Sequence, residues 1–241
     1  VSVTEANGNT GTATREVIVQ DTTPPVISLQ GDNPTYLEVF SSYTDSGASA
    51  SDNYDLSLPE VAIDDSEVDT SKVGSYTVFF TVTDSNGNTG TETRTVEVID
   101  SVAPVITLTG VDPVTFEAGS TFDVYSDIEV SDNYDTDLID SLIVGGDIIP
   151  DPATVGSYDL TYNLSDNSGN DAVQITRTVN VVDTTPPVIT LIGSNPQTVL
   201  LNTGYVELGA TVNDNNDADL SASLVIDATA VDATTMGSYS V

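Results

Sequence analysis

Three stretches of this chain are versions of one another, and that internal repeat limits the possible folds more than any other property of the sequence. "DTTPPVISLQGDNP" begins at Asp21, "DSVAPVITLTGVDP" at Asp100 and "DTTPPVITLIGSNP" at Asp183, 79 and 83 residues apart. Each start leads to an acidic stretch: "SDNYDLSL" from Ser51, "SDNYDTDL" from Ser131 and "NDNNDADL" from Asn213. A small-residue turn then opens a strand: "VGSYTVFFTVTDSNGN" from Val73, "VGSYDLTYNLSDNSGN" from Val155 and "MGSYSV" from Met236. The first residues, "VSVTEANGNTGTATREVIVQ", match "FTVTDSNGNTGTETRTVEVI" from Phe80. The chain therefore divides into the last two strands of one unit (1–20), two whole units (21–99 and 100–182), and a unit cut before its last strands (183–241).

Within a unit the hydrophobic period is two. Tyr76, Val78, Phe80 and Val82 alternate with Thr77, Phe79, Thr81 and Thr83, and Tyr158, Leu160, Tyr162 and Leu164 alternate with Asp159, Thr161, Asn163 and Ser165. One face of each strand is buried and the other is largely wet. About seven such runs in roughly 80 residues, separated by Gly, Pro, Asn and Asp, predict an all-β fold of tandem antiparallel immunoglobulin-type sandwiches. The tyrosine of each "GSY" (Tyr76, Tyr158, Tyr239) stands where a tyrosine corner bonds back to the backbone. Arg15, Arg94 and Arg177 share one position in the final strand and, by parity, a face with Val17, Val96 and Val179. They either pair with a carboxylate at the mouth of the sandwich or sit outside on a bulge.

Charge narrows the function classes. There are 38 acidic and 4 basic side chains, and 28 of the acids are Asp, a residue of turns and oxygen-ligand sites. Phosphate binding needs basic patches, so nucleic acid is not a partner. No Cys or His is present, which removes disulfides, zinc sites, thiol nucleophiles and imidazole bases. Paired carboxylates alone could serve a glycosidase, but here they repeat with the module instead of marking one cleft. The chain is read as a non-enzyme. It has no apolar run long enough to span a membrane and no signal-peptide pattern, and it reads as a segment of something longer.

The ordered motifs "DTTPPVITL", "SDNYD", "VGSYT", "DSNGN" and "TRTVEV" resemble the tandem bacterial Ig-like repeats of large surface proteins and adhesins, akin to hyalin-type and cadherin-like modules. The resemblance covers the whole chain. It implies an elongated rod of sandwiches at the cell surface or outside the cell, whose partners are neighbouring repeats and, through other parts of the parent protein, a cell-surface or glycan receptor.

In such a sandwich the leading aspartate, the loop after the second strand and the loop between the last two strands lie at one end. Carboxylates gathered there without a counter-ion repel one another. A hard cation relieves that repulsion, and calcium takes 6 to 8 oxygens from a mixture of Asp, Asn and backbone carbonyls. The expected ligands are Asp21, Asp52, Asn53, Asp55, Asp84 and Asn88 in the first full unit. In the second they are Asp100, Asp132, Asn133, Asp135, Asp166 and Asn170, and in the last Asp183, Asp214, Asn215 and Asp217. The competing explanation is that these segments are ordinary Asx turns. Glu5 stands in the first partial unit where the others have Asp84 and Asp166.

Together these features predict a calcium-stiffened extracellular stalk, with three units projecting on the order of 100 Å. One alternative is a filament of continuous repeats, or of copies joined when residues 1–20 complete a neighbour's sandwich. Another is a carbohydrate-binding accessory module, for which Tyr54 and Tyr134 are the repeated loop aromatics.

Overall fold

Turn-forming residues break the chain into sixteen short strands and two single-turn 3₁₀ segments. The computed structural model describes residues 1–241, which fall into two units, Val1–Ser101 and Val102–Val241.

The first unit opens with a hairpin of β1 (Ser2–Thr4) and β2 (Thr10–Thr12), exposed throughout. A two-sheet sandwich follows, built from β3 (Val26–Leu29), β4 (Thr35–Glu38), β5 (Ala48–Ser51), β6 (Ala62–Asp64), β7 (Gly74–Thr83) and β8 (Thr89–Ile99). One sheet pairs β3 with β5, and the other runs in the order β4, β8, β7, β6. β4 lies parallel to β8, with Thr35 opposite Val96, and the remaining pairs are antiparallel.

The predicted alternation carries the core. Val78, Phe80 and Val82 of β7 point inward, as do Val96 and Val98 of β8, and all five are buried. Full burial of a side chain of this size contributes about 1.5–3 kcal/mol. Ile27 closes the core from the opposite sheet. Gly90 of β8 is needed for close approach, because a Cβ there would stand 2.1 Å from the carbonyl oxygen of Pro25.

The second unit contains a matching sandwich. It comprises β9 (Val105–Leu108), β10 (Val114–Glu117), β11 (Ile128–Ser131), β12 (Ile143–Gly146), β13 (Gly156–Asn163) and β14 (Ile175–Val182). β9 pairs with β11, and the larger sheet runs β10, β14, β13, β12. Ile106, Leu160, Tyr162, Leu164 and Val179 share its core with Leu138 of the 3₁₀ turn Leu138–Ser141. Residues 183–241 add the pair β15 (Val188–Leu191) and β16 (Ala210–Asn213).

Each whole repeat has six strands, in keeping with the roughly seven runs read from the sequence. In the first, the stretch between β6 and β7 folds on its own side chains: Asp64 accepts from the amide and hydroxyl of Ser66, and Asp69 from those of Ser71. Local Asp–Ser bonds thus replace a ladder.

The tyrosine corner forms in every repeat: Tyr76 donates to Lys72 O, Tyr158 to Thr154 O and Tyr239 to Thr235 O, each at 3.0 Å. Arg94 and Arg177 point inward, each 1 % exposed, so no bulge carries them outside. Arg94 meets Asp45 at 3.0 Å and lies 5.6 Å from the Phe80 ring centroid. Arg177 meets Asp127 at 3.3 Å, donates to Ser126 O at 2.7 Å and lies over Phe122.

Candidate metal centre

β3 begins, and β5 and β7 end, on one side of the first sandwich, so that Asp21 precedes the first strand and Asp52 and Asp84 follow the other two directly. Oxygens of these three carboxylates lie within 4.8 Å of one another. Asp21 and Asp52 are half-buried and Asp84 is buried. Lys72, Arg94 and Arg177 are engaged with other acids, Asp69, Asp45 and Asp127, and give this group no counter-charge.

The loops are braced by their own polar groups. Asp52 accepts the amides of Tyr54 and Asp55 at 2.9 and 3.0 Å, and those two bonds hold its carboxyl below the ordinary range. Burial pushes the Asp84 carboxyl up, but the Asn88 side chain and the amides of Asn88, Asn86 and Gly87 outweigh it and keep it low. Both groups are anions at neutral pH.

Asp55 and Asn88, two of the expected ligands, tie the loops together: Asp55 accepts the amide and hydroxyl of Ser85, and Asn88 donates to Asp84 Oδ2 and to Asp21 O. Asn53 is exposed and turns its amide back on the Asp52 carboxylate.

Much the same bracing recurs in the second unit. Asp135 accepts the amide and side-chain nitrogen of Asn167 at 2.9 and 2.7 Å, and Asn170 clamps both oxygens of Asp166, which is buried. Burial again raises the Asp166 carboxyl and the Asn170, Gly169 and Ser168 donors overcome it. Asp132 Oδ2 accepts from Tyr134 and Asp135, while its Oδ1 is shielded from solvent and has no hydrogen-bond partner. A buried carboxylate oxygen without a donor is costly unless a cation serves it. Asn133 is exposed, and Asp100 is buried at the end of the first unit, immediately after β8.

In the last repeat Asp183, Asp214 and Asp217 bring their oxygens within 4.8 Å of one another. Here the crowding shows in the acid strength: desolvation first, and then the charges of Asp214, Glu117 and Asp217, push Asp183 up. Asn215 donates to Glu117 Oε1 at 3.1 Å and to Ala118 O at 2.9 Å.

Glu117 is the residue that motif reading missed. Standing at the end of β10, it accepts from the hydroxyls and amides of Thr184 and Thr185, and these bonds pull its carboxyl down to about 2. Glu38, its equivalent at the end of β4, accepts from the amide and hydroxyl of Ser101. The repeated Glu in "YLEV" and "TFEA" was the available signal.

Two stretches of the chain, residues 27–98 and 106–181, match the family described as "Bacterial surface protein, Ig-like domain". The chain belongs to this bacterial surface Ig-like family. It is 32 % identical to hyalin of Lytechinus variegatus over 238 residues, covering 91 % of this chain and 42 % of that one. It is 31 % identical to hyalin of Strongylocentrotus purpuratus over 92 % of this chain and 19 % of that one. An uncharacterized 81.3 kDa protein of Acholeplasma phage L2 is 30 % identical over 80 % of this chain and 27 % of its own. This surface Ig-like segment thus spans less than half of each relative. Among solved structures, it is similar to the extracellular domain of protocadherin gammaB4 at 12 % identity and a TM-score of 0.32, covering 90 % of this chain and 47 % of that one. It is also similar to the fibronectin(III)-like modules of Clostridium thermocellum CbhA, at 14 % identity and a TM-score of 0.25, covering 66 % and 95 %. No helix of the molecule is long and apolar enough to cross a membrane.

Proposed function

We propose that this surface Ig-like segment is a non-enzymatic extracellular spacer, a stretch of stalk whose modules are stiffened by calcium held between their acidic loops. The observation that carries the proposal is the threefold convergence of Asp21, Asp52 and Asp84 within 4.8 Å, recurring as Asp183, Asp214 and Asp217. An Asx turn explains why each loop holds its shape, but not why separate loops set ionised carboxylates against one another. Calcium, with its flexible shell of 6 to 8 oxygens, suits such a set better than magnesium with its strict octahedron.

In the last repeat the acidic group adjoins Glu117, which comes from the preceding sandwich. A cation on Asp183, Asp214 and Asp217 therefore neutralises repulsion where one module meets the next. Such a site acts on the angle between modules more than on either core. Dissociation constants near the millimolar range of extracellular modules suit this role. The exposed Tyr54 and half-buried Tyr134 do not present equivalent faces, which disfavours a repeated sugar platform.

Small-angle scattering of the 241-residue chain in millimolar calcium and then in chelator tests the proposal. The expected result is a stiff, extended particle that shortens or becomes flexible when calcium is withdrawn, and a matching loss in an Asp183→Asn, Asp214→Asn variant. Profiles and melting temperatures indifferent to calcium would show that the acidic loops are turns only.

A further inference from the structure

The end of β10 and the two residues after it offer acceptors to the last module. Ala118 spends its amide on Val182 O at 2.7 Å, and Gly119 spends its own on Ala153 O at 2.8 Å. What faces outward is Ala118 O and the Glu117 carboxylate that the Thr184 and Thr185 donors already hold in place. Such a surface is matched by a group with two N–H donors and no negative charge.

Asn215 supplies that group: its Nδ2 donates to Glu117 Oε1 at 3.1 Å and to Ala118 O at 2.9 Å. A carboxylate in its place would set oxygen against oxygen. An ion makes no such demand for an amide, since calcium is served by Asp oxygens as well as by Asn ones. In all three acidic loops the sequence nevertheless has Asn at this place, as Asn53, Asn133 and Asn215, each directly after an Asp.

The contact also requires bare backbone at Gly119, where a Cβ would stand 2.6 Å from Asn215 O. Its φ of 75° is not what demands glycine, because Phe40 and Asn202 hold the equivalent place in the other modules at 64° and 63°. Their amides bond to Thr70 O and Ala233 O as that of Gly119 bonds to Ala153 O, which fixes the equivalence. Room for the Asn215 loop is the remaining reason. We infer that residues 117–119 form a docking ledge for the acidic loop of the following module, and that the ledge selects Asn215 by its side-chain amide. The inference concerns recognition between these two modules and does not rest on the calcium reading.

The chain has no cysteine, so nitroxides can be placed through Ser157→Cys in the second sandwich and Ser221→Cys in the last module, both exposed positions. Pulsed electron resonance in millimolar calcium then reads the distance between them. The otherwise wild-type chain is expected to give one narrow distribution. Asn215→Asp should broaden it while calorimetry shows calcium bound as tightly as before or more tightly. Gly119→Asn, which keeps a residue that tolerates positive φ, should broaden it by crowding the same carbonyl. Melting of the second sandwich serves as the folding control. An Asn215→Asp distribution as narrow as the wild type overturns the inference, and so does a broad wild-type distribution. Broadening in Asn215→Asp that comes only with weakened calcium binding overturns it as well, for the residue then serves the ion. A wild-type distribution that stays narrow in chelator counts against the calcium reading and for direct docking.

Discussion

Arg94 has exchanged water for one carboxylate, two backbone carbonyls and the face of Phe80. A guanidinium held this way adds little net stability, but removing its partner leaves a buried charge, which costs about 3–5 kcal/mol. Asp45→Ala should lower the unfolding free energy of its sandwich by that amount in urea titration. Asp127→Ala should cost only about 1 kcal/mol, because Asp127 is 54 % exposed and Ser126 O still accepts from Arg177. Equal losses would contradict the difference in burial. A pH effect accompanies the first pair: burial, and then the bond to Asp45, push Tyr43 from 10.0 up to about 12. The raised value favours the neutral phenol in the fold, so this stability is complete below pH 10 and is lost as pH rises toward 12. Burial of Tyr162 and the bond of Tyr205 to Glu207 raise those two phenols as well, so a spectrophotometric titration should show a late-ionising group of tyrosines from which Tyr43→Phe removes one. The inward turn of Arg94 and Arg177 was among the possibilities set by strand parity. Their partners were not legible from the repeat, because the carboxylate comes from two residues before Gly47 in one module and from Asp127, at the position of Gly47, in the other.

Strands and turns were legible wherever a local pattern fixed them. The "GSY" tyrosines bond back to the backbone as predicted, since four residues of chain and a rigid ring leave the hydroxyl few other acceptors. Tyr158→Phe should therefore cost about 0.5–1.5 kcal/mol with the fold intact, measured by thermal unfolding. The leading aspartate and the two loops were expected at one end and lie there. The division of labour within the loops was not legible, because one carboxylate in a sequence can face its own turn, another loop or an ion. Asp55 and Asp135 brace the following loop, and Glu117 reaches across to Thr184 and Thr185. At Gly90 a methyl group would meet a backbone carbonyl that cannot withdraw without moving Pro25 and the start of β3. Gly90→Ala is expected to destabilise by about 1–3 kcal/mol, also read by thermal unfolding, and a neutral result would mean that this end of the sandwich is looser than its geometry.

At the scale of the whole chain, a formal net charge of −34 makes repulsion between modules the ordinary condition in dilute salt. Sodium chloride relieves that repulsion everywhere, with a screening length of about 8 Å at physiological ionic strength. Three oxygens within 4.8 Å sit inside that length, so bulk screening serves them poorly and a bound divalent ion serves them well. The proposed calcium role therefore predicts a separation between ionic strength and ion identity. Sodium chloride should raise the melting temperature gradually. Calcium at the same ionic strength should raise it further and saturably, through a gain in unfolding free energy of about 1.4 kcal/mol per site when calcium is tenfold above its dissociation constant. Magnesium should do less. Acid should undo the joint between the second sandwich and the last module by another route: Glu117 is depressed to about 2 from an ordinary 4.5, so its contribution is whole above pH 4.5 and disappears as pH falls toward 2. Exchange of the Thr184 and Thr185 amides, which Glu117 holds, should accelerate relative to core amides across that window and should already be fast in Glu117→Ala at neutral pH. If calcium slows the same two amides in the wild-type chain and sodium at equal ionic strength does not, the ion and the glutamate act on one joint. Should calcium leave them unchanged, the glutamate contacts hold the modules without an ion.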